Sequence, residues 1–158
     1  MGLPRLSIIV VSRHRRELLE LCLAALSQQD HPEFELILVA DPASLNIRPD
    51  LHIKRIGFDQ ANVGAARNLG LAAAAAEIVA FVDDDALALP SWASYLAAGF
   101  TDPQVVAAAG FTRGPDGLRW QVRAERITPS GVTVPLQVAA PVALPVEHGC
   151  PVSTIGTN

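Results

Sequence analysis

An α/β domain, built on a mostly parallel central sheet flanked by helices, is what this sequence predicts, and three observations carry the expectation. Strand-like and helix-like patterns alternate over roughly the first ninety residues. The apolar runs are short and closed by Asp, Pro or Gly, and the first is a continuous β-branched run, as in strands buried on both faces. The segments between them place leucines or alanines at helical spacing. Such alternation gives parallel strands joined by crossover helices, with ligands bound beyond the carboxyl ends of the strands.

Taken in order, Leu6–Val11 reads as the first strand and Arg16–Gln28 as the first helix. Cys22 lies on the helix stripe of Leu19, Leu23 and Leu26, so it is expected as a small buried hydrophobe. Phe34–Ala40 and Ile53–Ile56 are too short for helices and read as strands. Asn62 can cap a helix from about Val63 to Ala76, and Ile78–Val82 is another buried strand, ending abruptly at Asp83. Trp92 follows Pro90-Ser91 at a helix start, where packing is its simplest use. Near Pro115 the character changes, and the last fifty or so residues are rich in Pro, Gly and Val without a long helical period. The expected organisation is a single domain with a βα core over 1–114 and a region of different character over 115–158.

Composition narrows the function. The 158 residues are half apolar and 18% charged, which suits one globular domain with a real core and excludes general disorder. Sixteen acidic against twelve basic side chains give a formal charge of -4, with no general attraction to polymeric nucleic acid or anionic lipid. Any anionic ligand must therefore be held locally. Cys22 and Cys150 form neither a disulfide framework nor a zinc site, so a reducing, cytoplasmic setting is expected. Met1–Val11 lacks the length and cleavage site of a signal peptide, and Leu71–Val82, interrupted by Glu77, falls short of the roughly 20 residues that cross a bilayer.

Polar groups gather where the fold places a site: Ser12-Arg13-His14-Arg15, Ala40-Asp41-Pro42 and Asp83-Asp84-Asp85 each follow an apolar strand. The acid triplet is the sharpest of these. Like charges about 5 Å apart cost about 3 kcal/mol per pair at an effective dielectric near 20. A divalent cation would offset that, since Mg²⁺ or Mn²⁺ takes one or two carboxylates and leaves its other positions to water and phosphates. The competing reading has the aspartates capping the next helix and facing solvent. In Asn62-Val63-Gly64-Ala65-Ala66-Arg67-Asn68-Leu69-Gly70, small residues open a helix and let a ligand or backbone approach closely. Arg67, the only basic side chain between Arg55 and Arg113, reads as a phosphate or base ligand, or else as a solvated helix Arg. The glycines match neither G-x-G-x-x-G nor the Walker A pattern, which removes the main support for dinucleotide oxidoreductases and P-loop enzymes. A receiver-type signalling domain would need an acidic pair after the first strand, where Ser12-Arg13-His14-Arg15 stands instead.

Ser7-Ile8-Ile9-Val10-Val11-Ser12-Arg13-His14-Arg15 with Glu17-Leu18-Leu19, then Phe34 to Val39, Gly64 to Gly70, and Glu77 to Asp85 with its D-x-D, together resemble the amino-terminal, donor-binding half of a family 2 glycosyltransferase. The resemblance covers nearly the whole chain. It implies a Rossmann-like GT-A nucleotide-diphospho-sugar transferase fold, with 1–114 as the donor-binding core and 115–158 as the start of the acceptor side. It also implies that Asp85, with Asp83, holds Mg²⁺ or Mn²⁺, that Asp84 or Asp83 lies near the donor's ribose or diphosphate, and that Asp41 and Arg67 hold the base. Ser12, Arg13 and Gly64 complete the implied donor-binding set. Departures from the family's habit are Val11 for a Pro, Arg13 for an aromatic, His14 for an Asn, and Ala40 for the first Asp of an acidic pair. Arg13 admits two readings, stacking its guanidinium plane on the base or standing in a solvent-facing loop.

The implied reaction is inverting transfer of a sugar from a nucleotide-diphosphate donor, weakly a UDP-sugar, to a hydroxyl acceptor. The catalytic base is expected beyond Asn158, because Gly156-Thr157-Asn158 resembles the start of the element that precedes it in the family, and the chain is read as truncated there. Asp102, Asp116, Glu125 and Glu147 read as solvated surface acids, and His148 as incidental. The alternative from another class is a nucleotide-sugar-binding module without chemistry of its own. Donor hydrolysis or transfer by the chain separates the two.

Overall fold

Four parallel strands, β1 (Leu6–Ser12), β2 (Phe34–Ala40), β3 (Ile53–Gly57) and β4 (Ile78–Asp83), pair in the order β3-β2-β1-β4. They belong to a computed structural model that describes residues 3–110, 112–114, 116–122, 124–127, 130 and 133–136. The chain divides into two compact units, 1–106 and 107–157. Between the strands of the first unit run α1 (Arg16–Leu26) and α2 (Val63–Ala73), and α3 (Trp92–Ala98) follows β4.

β1, apolar except for Ser7 and Ser12, is buried almost throughout because both faces of the sheet are covered. Leu6, Ile8 and Val10 share one core with Leu36 and Leu38 of β2, with Leu19, Cys22, Leu23 and Leu26 of α1, and with Ala93 and Ala97 of α3. Cys22 is thus the buried hydrophobe its spacing predicts, and burial, with the negative field of Asp84, Asp85 and Asp83, pushes its thiol up to about 12. Trp92 packs against the same core. On the other face α2 presents two small residues, Ala66 and Gly70, both buried. A Cβ added at Gly70 would stand 2.5 Å from Cγ2 of Ile9, so the helix lies as close to β1 as a glycine permits.

Both helices end earlier than their periodicity predicts. At α1, Ser27 takes the cap position and its Oγ bonds the carbonyl of Ala24. At α2, Ala74 turns extended because the sheet captures the backbone beyond it: Glu35 accepts the Ala75 N–H at 2.7 Å and Ser7 Oγ accepts the Ala76 N–H at 3.0 Å. Lys54 Nζ closes the same end on the Ala73 carbonyl. Side-chain capture of this kind ends a helix without any Gly or Pro to announce it.

The second unit carries two antiparallel pairs, β5 (Thr112–Arg113) with β6 (Trp120–Val122), and β7 (Ala124–Ile127) with β8 (Thr133–Leu136). The turn between β5 and β6 is held by Asp116, whose carboxylate accepts the Leu118 and Arg119 N–H groups, and by Gly117 at φ 66°. Glu147, His148, Cys150 and Gly156-Thr157-Asn158 lie outside the described residues, as do the side chains of Trp120 and Glu125.

Candidate functional site

Strand register decides which polar exits meet. Ser12 at the end of β1 pairs with Ala40 of β2, and Val11 pairs with Asp83 of β4, so the three exits emerge level along one edge of the sheet. The chain steps from β1 outward through β2 to β3, then crosses to the far side of β1 for β4. The switch point between β1 and β4 is where a doubly wound sheet opens a crevice. A cleft of ≈ 330 Å³ lies at this edge, lined among others by Ser12, Arg13, Arg15, Phe58, Asn62 and Asp84.

The triplet is neither loose nor unpaired. Asp84 is buried, accepts the Ser12 hydroxyl at 2.6 Å on Oδ2, and accepts Arg15 Nη1 at 3.1 Å on Oδ1. The same Nη1 donates to Asp85 Oδ2 at 3.0 Å. Asp83 accepts Arg67 Nη2 at 3.2 Å, and the Arg67 guanidinium stands 5.7 Å from the centroid of the Phe81 ring. Burial raises the Asp83 carboxyl above its usual range, with Asp85 and Asp84 adding to the rise and Arg67 opposing it. The hydrogen bond to Asp84, then the charges of Asp84 and Asp85, raise Arg15 further. Two guanidinium groups thus supply the counter-charge that the sequence assigned to a metal ion or to solvent.

Other expected donor-binding residues fall elsewhere. Asp41 is buried and turned to the backbone, accepting the N–H groups of His14 at 3.0 Å and Ala43 at 3.1 Å. It thereby pins the β1–α1 turn, where His14 adopts φ 58°, a conformation that a non-glycine residue holds only with support. Arg13 lines the cleft and donates Nε to Asp59 at 2.8 Å, an exposed pair worth at most about 1 kcal/mol. Asn62 caps α2 as expected, accepting the Ala65 N–H at 2.9 Å. A Cβ at Gly64 would meet only Asn62 Oδ1, at 3.6 Å, so the fold itself does not require glycine there.

Phe58 and Asp59 carried no signal in the sequence, and Arg15, though named at the exit of β1, had no role assigned. For Arg15 a signal existed: it sits at the N-cap of α1 without a capping bond, where Ser or Asp is preferred and a cation opposes the helix dipole. A broken local rule of this kind points to a site.

His14 places its N–H on Asp41, which, with Ser44 and Ala43, holds that carboxyl below the usual range against the opposing effect of burial. The sign follows: a carboxylate whose folded value is depressed stabilises fully above about pH 4 and loses that contribution as pH falls through the folded value. Asp41→Asn is expected to cost about 1–3 kcal/mol at pH 7 and to flatten the acid limb of stability. Urea unfolding between pH 7 and pH 3 reads this; an unchanged acid limb in the variant would assign the limb to other carboxylates.

The sequence profile of Glycosyl transferase family 2 matches residues 7–150. The chain belongs to that family. The solved structures agree: TarS of S. aureus is 30% identical, with TM-score 0.54, over 60% of this chain and 19% of its own length. A mannosyltransferase, PcManGT of Pyrobaculum calidifontis, solved with GDP-Man and Mn²⁺, is 28% identical with TM-score 0.54 over 65% of this chain and 34% of its own. TarS 1–349 is 25% identical with TM-score 0.55 over 80% of this chain and 42% of its own, and a form of it was solved with UDP. No curated protein matches significantly. This family 2 chain therefore has a GT-A-like fold and spans from about a fifth to two fifths of the length of these relatives. Among the described residues, no helix is long and apolar enough to cross a membrane.

One of these relatives was solved with Mn²⁺. Among the described residues no group of three His, Cys, Asp or Glu converges on one point. Mg²⁺ and Mn²⁺ do not need three, because they use one or two carboxylates when a diphosphate supplies the rest. Asp85, with 33% of its side chain exposed, and Asp83, with 25%, offer hard oxygens at the open rim. The residues present fit such an ion.

Proposed function

We propose that this chain is the donor-binding portion of an inverting, metal-dependent glycosyltransferase. It would take a sugar from a nucleoside diphosphate, with UDP preferred, to a hydroxyl acceptor. The observation that carries the reading is the cleft at the carboxyl edge of the sheet, between the ends of β1 to β3 and the start of α2, whose wall holds Ser12, Arg15 and Asp84, the last flanked in sequence by Asp83 and Asp85. That relatives were solved with UDP and with GDP-Man and Mn²⁺ supports the donor class.

In this reading Asp85, assisted by Asp83, holds the divalent ion, and when bound the ion neutralises charge on the departing diphosphate. Arg13 and Ser12 face the nucleoside across the cleft. Arg67 sets the electrostatics of Asp83 and offers its remaining N–H groups to the donor. Asp41 acts through the loop, fixing His14 so that Arg13 and Arg15 leave β1 in a defined direction. The acceptor hydroxyl would bond to the anomeric carbon as the bond to the phosphate oxygen breaks, and its proton would pass to a carboxylate acting as general base.

Calorimetric titration of the chain with UDP and GDP, with and without Mn²⁺, tests this. Binding that requires the ion supports the reading; no binding of either nucleotide with Mn²⁺ present would overturn it. Hydrolysis of a UDP-sugar by the same chain would place chemistry within it, whereas binding without turnover favours the module. Arg67→Ala is expected to weaken metal-dependent UDP binding by about 1–3 kcal/mol, through lost charge-assisted contacts. Equal affinity would make Arg67 a partner of Asp83 alone.

A further inference from the structure

Arg15 is placed where it serves α1 poorly and the triplet well. It occupies an uncapped helix start, its side chain is half exposed, and it lines the cleft. Its Nη1 bridges two carboxylates of different standing. Asp84 is buried and fixed from its other oxygen by Ser12, whereas Asp85 stands at the rim with no second hydrogen bond among the described residues. Of the three carboxylates, Asp85 is the one whose exposed oxygen a cation reaches first, and Arg15 already holds it.

Charge makes this arrangement conditional. Arg15 and Arg67 against three carboxylates leave one negative charge. A divalent ion entering alone would bring four positive charges against three negative ones in a partly desolvated corner, and cations so gathered repel. A diphosphate restores the balance and offers the guanidinium fork the same bidentate geometry that a carboxylate does.

We propose, resting on the donor-site reading above, that Arg15 is a resident counter-ion: it competes with the divalent cation for Asp85 and passes to the phosphate oxygens when a nucleoside diphosphate enters. Arg15 is then a positioning residue that couples the two ligands. The ion alone binds weakly, and each ligand strengthens the other by the same factor.

The test measures Mn²⁺ affinity from the paramagnetic resonance of free Mn²⁺, with and without saturating UDP, in the wild-type chain and its variants. Arg15→Ala is expected to tighten Mn²⁺ binding in the absence of nucleotide about three- to tenfold, since it removes the competitor. The same change should weaken UDP binding in the presence of Mn²⁺ about tenfold or more. Opposite signs are the signature, because a merely structural residue would weaken both. Arg16→Ala removes the same charge one position away, where among the described residues the guanidinium bonds only the Ala43 carbonyl, and should leave both affinities within about twofold. Arg15→Lys, which keeps the charge without the fork, should fall between wild type and Arg15→Ala, and decides the matter if Arg15→Ala does not fold. Unchanged or weaker Mn²⁺ binding in the Arg15 variants, with wild type still binding UDP, would overturn this inference alone. Failure of wild type to bind any nucleoside diphosphate with Mn²⁺ would overturn the donor-site reading and this inference with it.

Discussion

With Asp85 replaced by alanine, Mn²⁺-dependent binding of a nucleoside diphosphate is expected to fall by about a hundredfold or more, the loss that follows removal of a charged metal ligand with no substitute nearby. The neighbours cannot take over. Asp84 is buried with both oxygens engaged by Ser12 and Arg15, and Asp83 is held by Arg67 beside the Phe81 ring. Bringing Asp84 to the rim would break a charge-assisted bond inside a partly desolvated site, at about 1.5–3 kcal/mol, and Asp83, already the assisting carboxylate at the rim, cannot also replace Asp85. Stability should change little, within about 0.5 kcal/mol, because the Asp85 side chain is a third exposed and its ion pair with Arg15 is screened. Calorimetry with UDP and Mn²⁺, paired with urea unfolding, separates the two effects. Undiminished metal-dependent binding in a folded Asp85→Ala chain rejects Asp85 as the ligand. Asp85→Asn repeats the test with the volume kept and the charge removed.

The first strand, the helix stripe and the abrupt stop at Asp83 were legible because each is a local pattern with one physical solution. A run from Leu6 to Val11 can only be buried on both faces, and the Leu19, Cys22, Leu23 and Leu26 stripe can only face it. The helix ends were not legible. Ala74, Ala75 and Ala76 are good helix formers, and what draws them out of α2 is Ser7 and Glu35, residues 69 and 40 positions away along the chain. The site divides in the same way. That the three strand exits converge follows from a parallel sheet, and register confirms it with Ser12 level with Ala40 and Val11 level with Asp83. Which cation meets which carboxylate does not follow, since Arg15 finds Asp84 and Asp85 across 69 and 70 residues. Arg67, expected at a phosphate or base, also holds Asp83, a pairing the sequence did not show and that α2 makes possible by packing on β1. Asp41 was expected at the base, yet its carboxylate is committed to the N–H of Ala43, two residues on, and to that of His14, which the left-handed turn there brings within reach.

That packing is itself open to a sharp test at Gly70. Alanine is the better helix former by about 1 kcal/mol, so propensity alone would make Gly70→Ala stabilising. Contact argues the other way, and more strongly. The new Cβ would lie 2.5 Å from Cγ2 of Ile9 and 3.3 Å from its Cδ1, and Ile9 is a buried β-branched residue on a central strand whose χ1 is stiff. Overpacking of this kind typically costs 1–3 kcal/mol and is relieved only by moving the helix. Gly70→Ala is therefore expected to lose about 1–2 kcal/mol net in urea unfolding, with Ile9→Ala costing about 2–5 kcal/mol alone. In the double variant the two losses should fall short of their sum by about 1 kcal/mol or more, because the missing Cγ2 vacates the space the new methyl takes. Arg67 lies one turn before Gly70 on the same helix, so a displaced α2 should also loosen its 3.2 Å bond to Asp83 and weaken nucleotide binding in the single variant, with recovery in the double. Strict additivity in stability, or a Gly70→Ala chain more stable than wild type, would mean that the helix shifts freely and that the close approach of α2 does not set the position of Arg67.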